Sequence, residues 1–473
     1  MVRSDNPSRA TKQNSHYHVE AGALYIDEYS QLQGELNNAA ALRTTYARES
    51  TYGLDKSRYH TPQERFGRMP VLSYSGDHLQ LPPVPESSSL LAPVEQSSKE
   101  HAVGASIFRN AELVFQFQKA MRFTDCKQIQ ILEVMRTPGG QALKKELWEA
   151  LQETQVNLAQ HELQPAWYHS CYCWSVTTMC SVLVARQSAI RHQRPLIYVQ
   201  AIDEPQGLDS GTSVPKLLKE MLAVPSLSQT KRLPGVLLFH QSMRMKLTTT
   251  LQQPFAVQDT ECTVVGFEPD PADQYIDSKI RTASCSELVC KRMPKVIYVR
   301  FDECDIRFLP PGSCAFHRRT GHDDTCASCL SAVQPGVFAV KPLSRVWRHY
   351  LDTGRYINVT RKMFPLMPLE AVSLYSMQGT TADPGLYAYW MFPNRCSSSV
   401  QWLIVYVMLS RPRSFKQLKS INLTKKIREI IEYGPPEELV QTFHNLFAAK
   451  IENTHEIAKE AAQKYGLLEE HFR

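Results

Sequence analysis

Two short apolar runs near the start of the chain each stop at acidic side chains. Residues 23–26 (ALYI) are followed by Asp27 and Glu28, and residues 71–74 (VLSY) are followed by Gly76 and Asp77. Apolar runs of this length, bounded by turn residues, are typical of buried strands. We therefore predict two parallel strands whose carboxyl ends present the acidic residues and Gln80, at the edge where open parallel sheets bind ligands.

The rest of the chain alternates helical and strand-like patterns. Residues 35–47 have helix-forming composition between the two acidic strands, which predicts a parallel α/β sheet. Residues 143–151 have helical spacing, and residues 168–198 predict a strand, a helix and a strand. Residues 254–359 alternate polar with β-branched or aromatic residues, which favours a small β-rich unit. We interpret residues 401–415 as an apolar strand, and residues 437–468 as an amphipathic helix or helix pair.

Four of these segments resemble motifs of superfamily one DNA helicases, specifically the RecD and Pif (petite integration frequency) branch. IDEYSQL and GDHLQLPPV resemble motifs II and III, QGTTADPG resembles the second half of motif V, and YVMLSRPRS resembles motif VI. The similarity reaches from about Tyr25 to Phe415. It implies an α/β fold with two RecA-like domains, the first one incomplete, and a small β-rich SH3-like insertion.

The resemblance also implies a division of the chain into five parts. Residues 1–20 are polar and basic and are expected to be disordered. The other expected parts are a partial first RecA-like domain at 21–155, a second RecA-like domain at 165–253 and 360–425, the β-rich insertion at 254–359, and a helical tail at 426–473.

The family's ATP chemistry carries over to the residues that match its motifs. By this resemblance Asp27 would hold Mg²⁺, Glu28 would act as general base for water, and Gln80 would sense the γ-phosphate of ATP. Arg411, in the motif VI match, would stabilise charge on the transferring phosphoryl group. The other residues implied at the nucleotide are Arg122, Asp77, Gln378 and Gly379.

Two arginines leave alternatives open. Without the surrounding motifs, Arg122 would be interpreted as a surface residue on an amphipathic helix, whereas the motif IV resemblance gives it a γ-phosphate contact. Arg136 occupies a place where the family often carries another arginine. It could equally cap the C-terminal end of its helix.

The chain departs from the family pattern at two places. No GxxxxGK segment followed by Ser or Thr occurs in the sequence, and 26 residues precede Asp27, too few for that phosphate-binding loop and its strand. In motif V the Gln-Gly-x-Thr half survives and the usual His-Lys half is lost. Tyr375 and Thr380 are the nucleic-acid contacts implied there. Tyr375 could stack on a base or be a buried core residue.

One segment has paired cysteine and histidine spacing. Cys314 and His317, and Cys326 and Cys329, are each separated by two residues, as in tetrahedral zinc sites, and His322 is an alternative ligand. A flexible, reduced loop is the interpretation we favour over one structural zinc ion. Cys171, Cys173 and Cys180 predict buried thiols rather than a metal site.

Composition adds little beyond this picture. The 473 residues are 43% apolar and 21% charged with a net charge of +6, and they contain 12 cysteines and no apolar run long enough to cross a membrane. We expect an intracellular monomer, nuclear or alternatively mitochondrial. ATP and Mg²⁺ are the implied cofactors, with zinc open, and single-stranded or forked DNA is the implied partner.

Three hypotheses follow. The first is an ATP-dependent DNA helicase whose amino-terminal part is missing from this sequence, and the second is a helicase-derived protein that binds nucleic acid or a partner without turning over ATP. The third, a zinc-bearing β module on an inert scaffold, is the weakest. Because nothing replaces the phosphate-binding lysine, we expect this chain to hydrolyse ATP negligibly and to bind single strands in a salt-dependent way.

Overall fold

The computed structural model describes residues 21–52, 65–95, 97–117, 121–207, 213–272, 276–277, 286–302, 304–306, 308, 335–351 and 354–465. The polar segment 1–20 and the zinc candidates Cys314, His317, His322, Cys326 and Cys329 lie outside these residues. No cluster of metal-ligating side chains is found in the described part of the chain.

The strands are β1 (Ala23–Ile26), β2 (Val71–Tyr74), β3 (Tyr168–Cys171), β4 (Leu196–Gln200), β5 (Ile202–Gln206), β6 (Val236–Phe239), β7 (Arg244–Leu247), β8 (Glu261–Glu268), β9 (Ile276–Asp277), β10 (Glu287–Val289), β11 (Val296–Arg300), β12 (Val337–Val340), β13 (Leu343–Tyr350), β14 (Tyr356–Met363), β15 (Leu366–Pro368), β16 (Ala371–Ser373), β17 (Leu386–Tyr389) and β18 (Leu418–Ile421).

The helices are α1 (Gly34–Tyr52), α2 (Lys99–Arg109), α3 (Cys126–Arg136), α4 (Lys145–Gln152), α5 (Trp174–His192), α6 (Val214–Leu222), α7 (Leu374–Met377), α8 (Ser398–Ser410), α9 (Lys425–Tyr433) and α10 (Glu437–Lys464). Single turns lie at Tyr29–Gln31, Arg65–Arg68, Glu86–Ser88 and Phe415–Gln417.

The two acidic strands form a small parallel sheet of their own. β1 and β2 pair in register, with Ala23 opposite Val71 and Ile26 opposite Tyr74. Both strands were expected to be buried, and this was wrong: Tyr25 is 63% exposed and Val71 is 54% exposed. The reason is that only one face is covered: Leu24, Ile26 and Leu72 pack against the cluster of Ala41, Phe66 and Ile107, whereas the side chains of the other face are exposed in the described part of the chain.

A four-stranded parallel sheet, in the order β16-β3-β17-β18, forms the second centre of the fold. Its largest core contains α8, whose residues from Trp402 to Ser410 are all buried. The interpretation of residues 401–415 as a strand was therefore wrong. Thirteen residues are long for a strand, and the Ser397 side chain caps the helix start by accepting from the Val400 N–H.

Helices α3 and α4 share this core with α8 and α9. Leu79 and Leu81, from the segment that follows β2, belong to the same core. The chain therefore brings the loop after the first sheet directly against the helix that ends at Arg411. The domain limits expected from the sequence stay a prediction.

The β-rich part consists of three further sheets. Their strand orders are β6-β4-β10-β9, β12-β11-β8-β7-β15 and β13-β14-β5. Strands β8 to β13 and the first half of β14 fall within residues 254–359, which agrees with the strand content expected there. The SH3-like character of this insertion stays a prediction.

The C-terminal helix α10 returns to the first sheet. It is a single helix of 28 residues, so the alternative of a helix pair is not needed for this stretch. Phe447 packs against Phe108, and Phe443 stacks on His78 with ring centroids 3.9 Å apart. Among the described helices, none is both long and apolar enough to cross a membrane.

Candidate functional site

The carboxyl ends of β1 and β2 bring their polar residues together. The Ser75 hydroxyl donates to Asp27 Oδ1, and the Glu28 N–H donates to the same oxygen at 2.9 Å. Glu28 has φ of 55°, in the left-handed region that non-glycine residues rarely adopt. Such a backbone costs on the order of 1 kcal/mol, and residues of this kind cluster at functional sites as well as in turns.

Gly379 lies directly against Glu28. A Cβ atom at Gly379 would stand 3.2 Å from Glu28 Oε1, and Gly379 itself has φ of 74°. Both the close approach and the positive φ favour glycine at this position. Gly379, from the segment that resembles motif V, and Glu28, from the segment that resembles motif II, thus lie in contact, and we call the place where they meet the cleft. The nucleotide-binding role that the resemblance implies for them stays a prediction.

The environment of Glu28 disfavours its charged form. Burial raises the pKa of Glu28 above its ordinary value, and the carboxylates of Asp27 and Asp77 add to the rise, while Arg411 and Arg122 oppose it. Glu28 Oε2 is buried and has no hydrogen-bond partner among the described residues. A carboxylate with a raised pKa is a stronger base near neutral pH, which suits it to accept a proton from water.

Asp77 is held by two partners. Arg136 donates to Asp77 Oδ2 at 2.7 Å, and the Tyr406 hydroxyl donates to the same oxygen at 2.6 Å. Burial opposes ionisation of Asp77, but the Arg136 charge and the Tyr406 hydrogen bond outweigh it, so the pKa of Asp77 lies below its ordinary value. Asp77 therefore acts as a fixed anion. It joins the loop after β2 to α3 and α8.

Arg411 is buried at the C-terminal end of α8, with 2% of its surface exposed. Its guanidinium donates to Ser410 Oγ at 2.8 Å and to the carbonyl oxygens of Val407 and Met377 at 3.3 and 3.5 Å. Burial, reinforced by the charge of Arg122, lowers the pKa of Arg411 to about 10. No ion pair of the described residues includes Arg411, so its charge is poorly compensated and suited to meet an anion.

Two buried amides complete the cleft. Gln378 Nε2 donates to the Leu81 carbonyl at 3.0 Å, which joins the motif V turn to the motif III loop. The Oε1 atoms of Gln80 and Gln378 have no partner in the described part of the chain. Arg122 lies at the same place, where it donates to the Ser410 carbonyl at 3.3 Å.

Of the two candidate nucleic-acid contacts, Tyr375 lies in α7 and Thr380 lies in the turn that follows it. Thr380 is exposed. Tyr375 is half-buried, packs against the largest core and has its ring centroid 5.8 Å from that of Tyr172. The structure therefore gives Tyr375 a packing role. Its use as a base-stacking surface stays a prediction.

Two residues of the cleft were not identified from the sequence. Tyr406 holds Asp77 and Arg136, and Ser75 holds Asp27. A phenol inside the apolar run QWLIVYVMLS is a usable signal, because a buried tyrosine hydroxyl usually finds a hydrogen-bond partner. Nothing in the sequence around Ser75 distinguishes it from other turn serines.

Comparison with solved structures finds proteins with a similar fold. The chain is similar to a Pif1 helicase studied for DNA unwinding at forked double-stranded DNA, with a TM-score of 0.54 and 14% identity over 95% of this chain and 80% of that chain. It is also similar to Pif1 from Bacteroides in complex with ADP-AlF3 and single-stranded DNA (TM-score 0.52, 14% identity, 95% and 79% covered). For Bacteroides Pif1 bound to single-stranded DNA the TM-score is 0.52, with 13% identity over 95% and 80% of the two chains.

These similarities show a Pif1-like helicase fold, mixed α/β with parallel sheets consistent with RecA-like domains. No protein-family model matches the chain, and no curated protein sequence matches it. At this level of identity the similarity concerns the fold alone.

Proposed function

We propose that this chain is the core of a Pif1-like DNA helicase that binds single-stranded DNA, and that the chain as given turns over no ATP. The observation that carries the proposal is the meeting of Glu28, Gly379 and Arg411 in one cleft between two parallel sheets. These three residues come from segments that resemble motifs II, V and VI and lie far apart in the sequence.

The chain's own side chains define what the cleft can do. Glu28 has a buried oxygen without a partner and a raised pKa, so it can orient a water molecule and accept its proton. Arg411 and Arg122 bring two positive charges beside it, where they would stabilise negative charge that develops during phosphoryl transfer. Gln80 and Gln378 offer amide oxygens that can accept from a bound water.

Mg²⁺ and ATP fit this donor set in part. Asp27 would hold the cation through a carboxylate oxygen, the kind of ligand that Mg²⁺ prefers, with the remaining ligands coming from phosphate and water. Bound Mg²⁺-ATP would supply the phosphoryl group that is transferred to water. The fit is incomplete, because no residues of the GxxxxGK type are present to cradle the β- and γ-phosphates.

This missing contact is the reason for the second half of the proposal. A phosphate-binding loop with its lysine contributes both to ground-state binding of ATP and to stabilisation of the transition state. Glu28 and the two arginines form the opposite side of such a site. We therefore assign to this chain a binding function, with the hydrolytic residues retained and ATP turnover absent.

The proposal that DNA is the partner rests on the fold and on the net charge of the chain. Two of the similar structures contain single-stranded DNA, and this chain has a net charge of +6, which favours a polyanionic partner. The exposed Thr380, next to the glycine that contacts Glu28, is the residue of the motif V turn best placed to meet a DNA backbone.

Two assays on the same purified chain test the proposal. We expect retention of a labelled oligo-dT strand at low salt, and phosphate release from Mg²⁺-ATP that stays at the background of a no-protein control with and without the strand. Failure to retain the strand contradicts the DNA assignment. DNA-stimulated turnover that Glu28→Gln abolishes contradicts the absence of hydrolysis.

A further inference from the structure

A groove far from the cleft runs along one edge of the sheet β13-β14-β5. It has a volume of about 680 Å³. One wall consists of five consecutive residues of β13, from Val346 to Tyr350, and the other wall is the segment between α6 and β6, through Ser228, Gln229 and Lys231. No residue of the proposed helicase site lines it.

The strand that lines the groove is an edge strand. β13 pairs with β14 over residues 343–350, and no strand of the described part pairs with its other side. The outer edge of such a strand carries a row of backbone N–H and C=O groups that can pair with a further strand. Five consecutive residues along one groove match the course of an added strand, which rises about 3.4 Å per residue.

The side chains of this edge have a defined pattern. Val346, Arg348 and Tyr350 project on one face, and Val346 and Tyr350 are 54% and 66% exposed. The Arg348 guanidinium lies over the ring of Tyr356, 4.7 Å from its centroid, which holds the charge at the groove. The edge thus offers an apolar, a cationic and an aromatic position in alternation.

The charge of the groove selects an acidic ligand. Among the described residues, its lining includes Lys231, Arg348 and His349 and no aspartate or glutamate. Lys231 is exposed and has φ of 52°, and the next residue, Arg232, has φ of 67°. Two successive residues in the left-handed region form a sharp turn that presents the lysine opposite β13.

From these observations we propose that β13 binds an extended acidic peptide segment by strand addition. The peptide would pair its backbone with the outer edge of β13 and place a carboxylate opposite Arg348, with apolar residues two positions before and after it opposite Val346 and Tyr350. This activity is separate from DNA binding and does not depend on it.

A peptide fits this groove better than a nucleic acid strand does. A nucleic acid backbone offers acceptors and no N–H donors, so it would leave the carbonyl groups of the edge unpaired. Stacking of bases needs exposed aromatic faces. Of the two aromatic side chains of β13 that line the groove, Trp347 is 2% exposed, which leaves Tyr350 as the one ring of this strand that a base could reach.

The test uses a fluorescein-labelled peptide of seven residues with the sequence Thr-Val-Thr-Glu-Thr-Val-Thr. Fluorescence anisotropy with the full chain should show saturable binding. Methylation of the peptide nitrogens along one edge leaves the charge unchanged and should abolish binding. If the methylated peptide binds equally well, strand addition is wrong.

Charge exchange locates the site. Arg348→Glu should weaken binding of the glutamate peptide about fivefold or more, and should allow binding of the same peptide with lysine in place of glutamate. Lys362→Glu is the matched control: it makes the same change of charge at an exposed position of β14 that does not line the groove, and it should leave binding unchanged.

Two further outcomes would contradict the peptide-binding proposal. If the peptide fails to bind and an oligo-dT strand binds in a way that Lys231→Glu weakens and Lys362→Glu does not, the groove is a nucleic-acid site and the proposal is wrong. If neither ligand responds to Lys231→Glu or Arg348→Glu, the arginine serves only to protect an edge strand, which also contradicts the proposal.

Discussion

Two buried arginines, Arg361 and Arg411, have opposite surroundings. Arg361 is 0% exposed and makes a bidentate ion pair with Asp203, with both N–O distances 2.8 Å. It also donates to the carbonyl oxygens of Met221 and Leu233 and lies over the ring of Trp347. Arg411 is almost as deeply buried, yet its contacts are a neighbouring hydroxyl and two carbonyl groups at 3.3 Å or more.

This difference is the one expected between a structural arginine and an arginine with the anion-binding role that we propose for Arg411. A buried charge that is paired and hydrogen-bonded on all sides has no capacity left for a ligand. Arg361 joins β14 to β5 and α6 and is complete without one. Burial of the Arg411 charge costs free energy, and no carboxylate ion pair offsets that cost. Such uncompensated charges are tolerated at sites where an anion binds or where negative charge develops.

The largest change in the free energy of unfolding is expected when the ion pair between Arg361 and Asp203 is broken. Asp203→Asn leaves the Arg361 charge buried without compensation, which should lower the free energy of unfolding by about 3 to 5 kcal/mol in urea titrations. Glu261→Gln removes a carboxylate from the exposed Arg244 pair and should cost less than about 1 kcal/mol. Equal losses for the two variants would contradict the structural role of Arg361.

A smaller, pH-dependent loss is expected at Asp77. Its pKa is lowered in the folded state, so the carboxylate stabilises the fold above its ordinary pKa of 3.8, and this contribution is lost as the pH falls through the lower folded value. Asp77→Asn should cost about 2 kcal/mol at pH 7. The difference in the free energy of unfolding between parent and variant should become smaller below pH 3.8 in acid unfolding curves. A difference that stays constant would show that Asp77 acts through packing alone.

At Arg411 the expected change in stability is close to zero. Arg411→Met keeps most of the side-chain volume and removes a buried, poorly compensated charge, so the free energy of unfolding should stay within about 1 kcal/mol of the parent or rise. The measurement is the urea midpoint, taken beside Asp203→Asn. A loss as large as that of Asp203→Asn would mean that Arg411 is a structural residue and would remove the contrast.

The smallest effect is expected at Glu28, and it has the opposite sign to that of Asp77. The pKa of Glu28 is raised in the folded state, so its ionisation costs stability once the pH rises above the folded value, and no cost remains below the ordinary pKa of 4.5. Glu28→Gln should therefore be more stable than the parent at pH 7 by less than about 1 kcal/mol, with no difference below pH 4.5. A variant that is less stable at pH 7 would contradict this account.

The sequence predicted the cleft better than the elements that build it. Asp27 and Asp77 both lie near Glu28, as expected because paired parallel strands end at one edge, a rule that needs no coordinates. Arg411 also lies near Glu28 although its segment was misassigned, and its role at a nucleotide stays a prediction. An apolar run without polar interruptions shows no period, so a fully buried helix looks like a strand.

Other features depend on contacts that no local pattern reveals. The Arg361–Asp203 pair joins residues 158 positions apart, and each alone looks like an ordinary charged residue of a strand. Tyr25 and Val71 are exposed because the described elements pack on the opposite face of their sheet, and a short apolar run does not reveal which faces are covered. Tyr406 was missed because its partners come from the loop after β2 and from α3, far away in the chain.

The central claim, a helicase fold that binds DNA, is tested most directly by the affinity for a labelled oligo-dT strand between about 50 and 200 mM salt. We expect the logarithm of the association constant to fall linearly with the logarithm of salt concentration, and Thr380→Glu to weaken binding at every salt concentration while Thr178→Glu, at an exposed position of α5, does not. Absence of binding at the lowest salt concentration would contradict the claim.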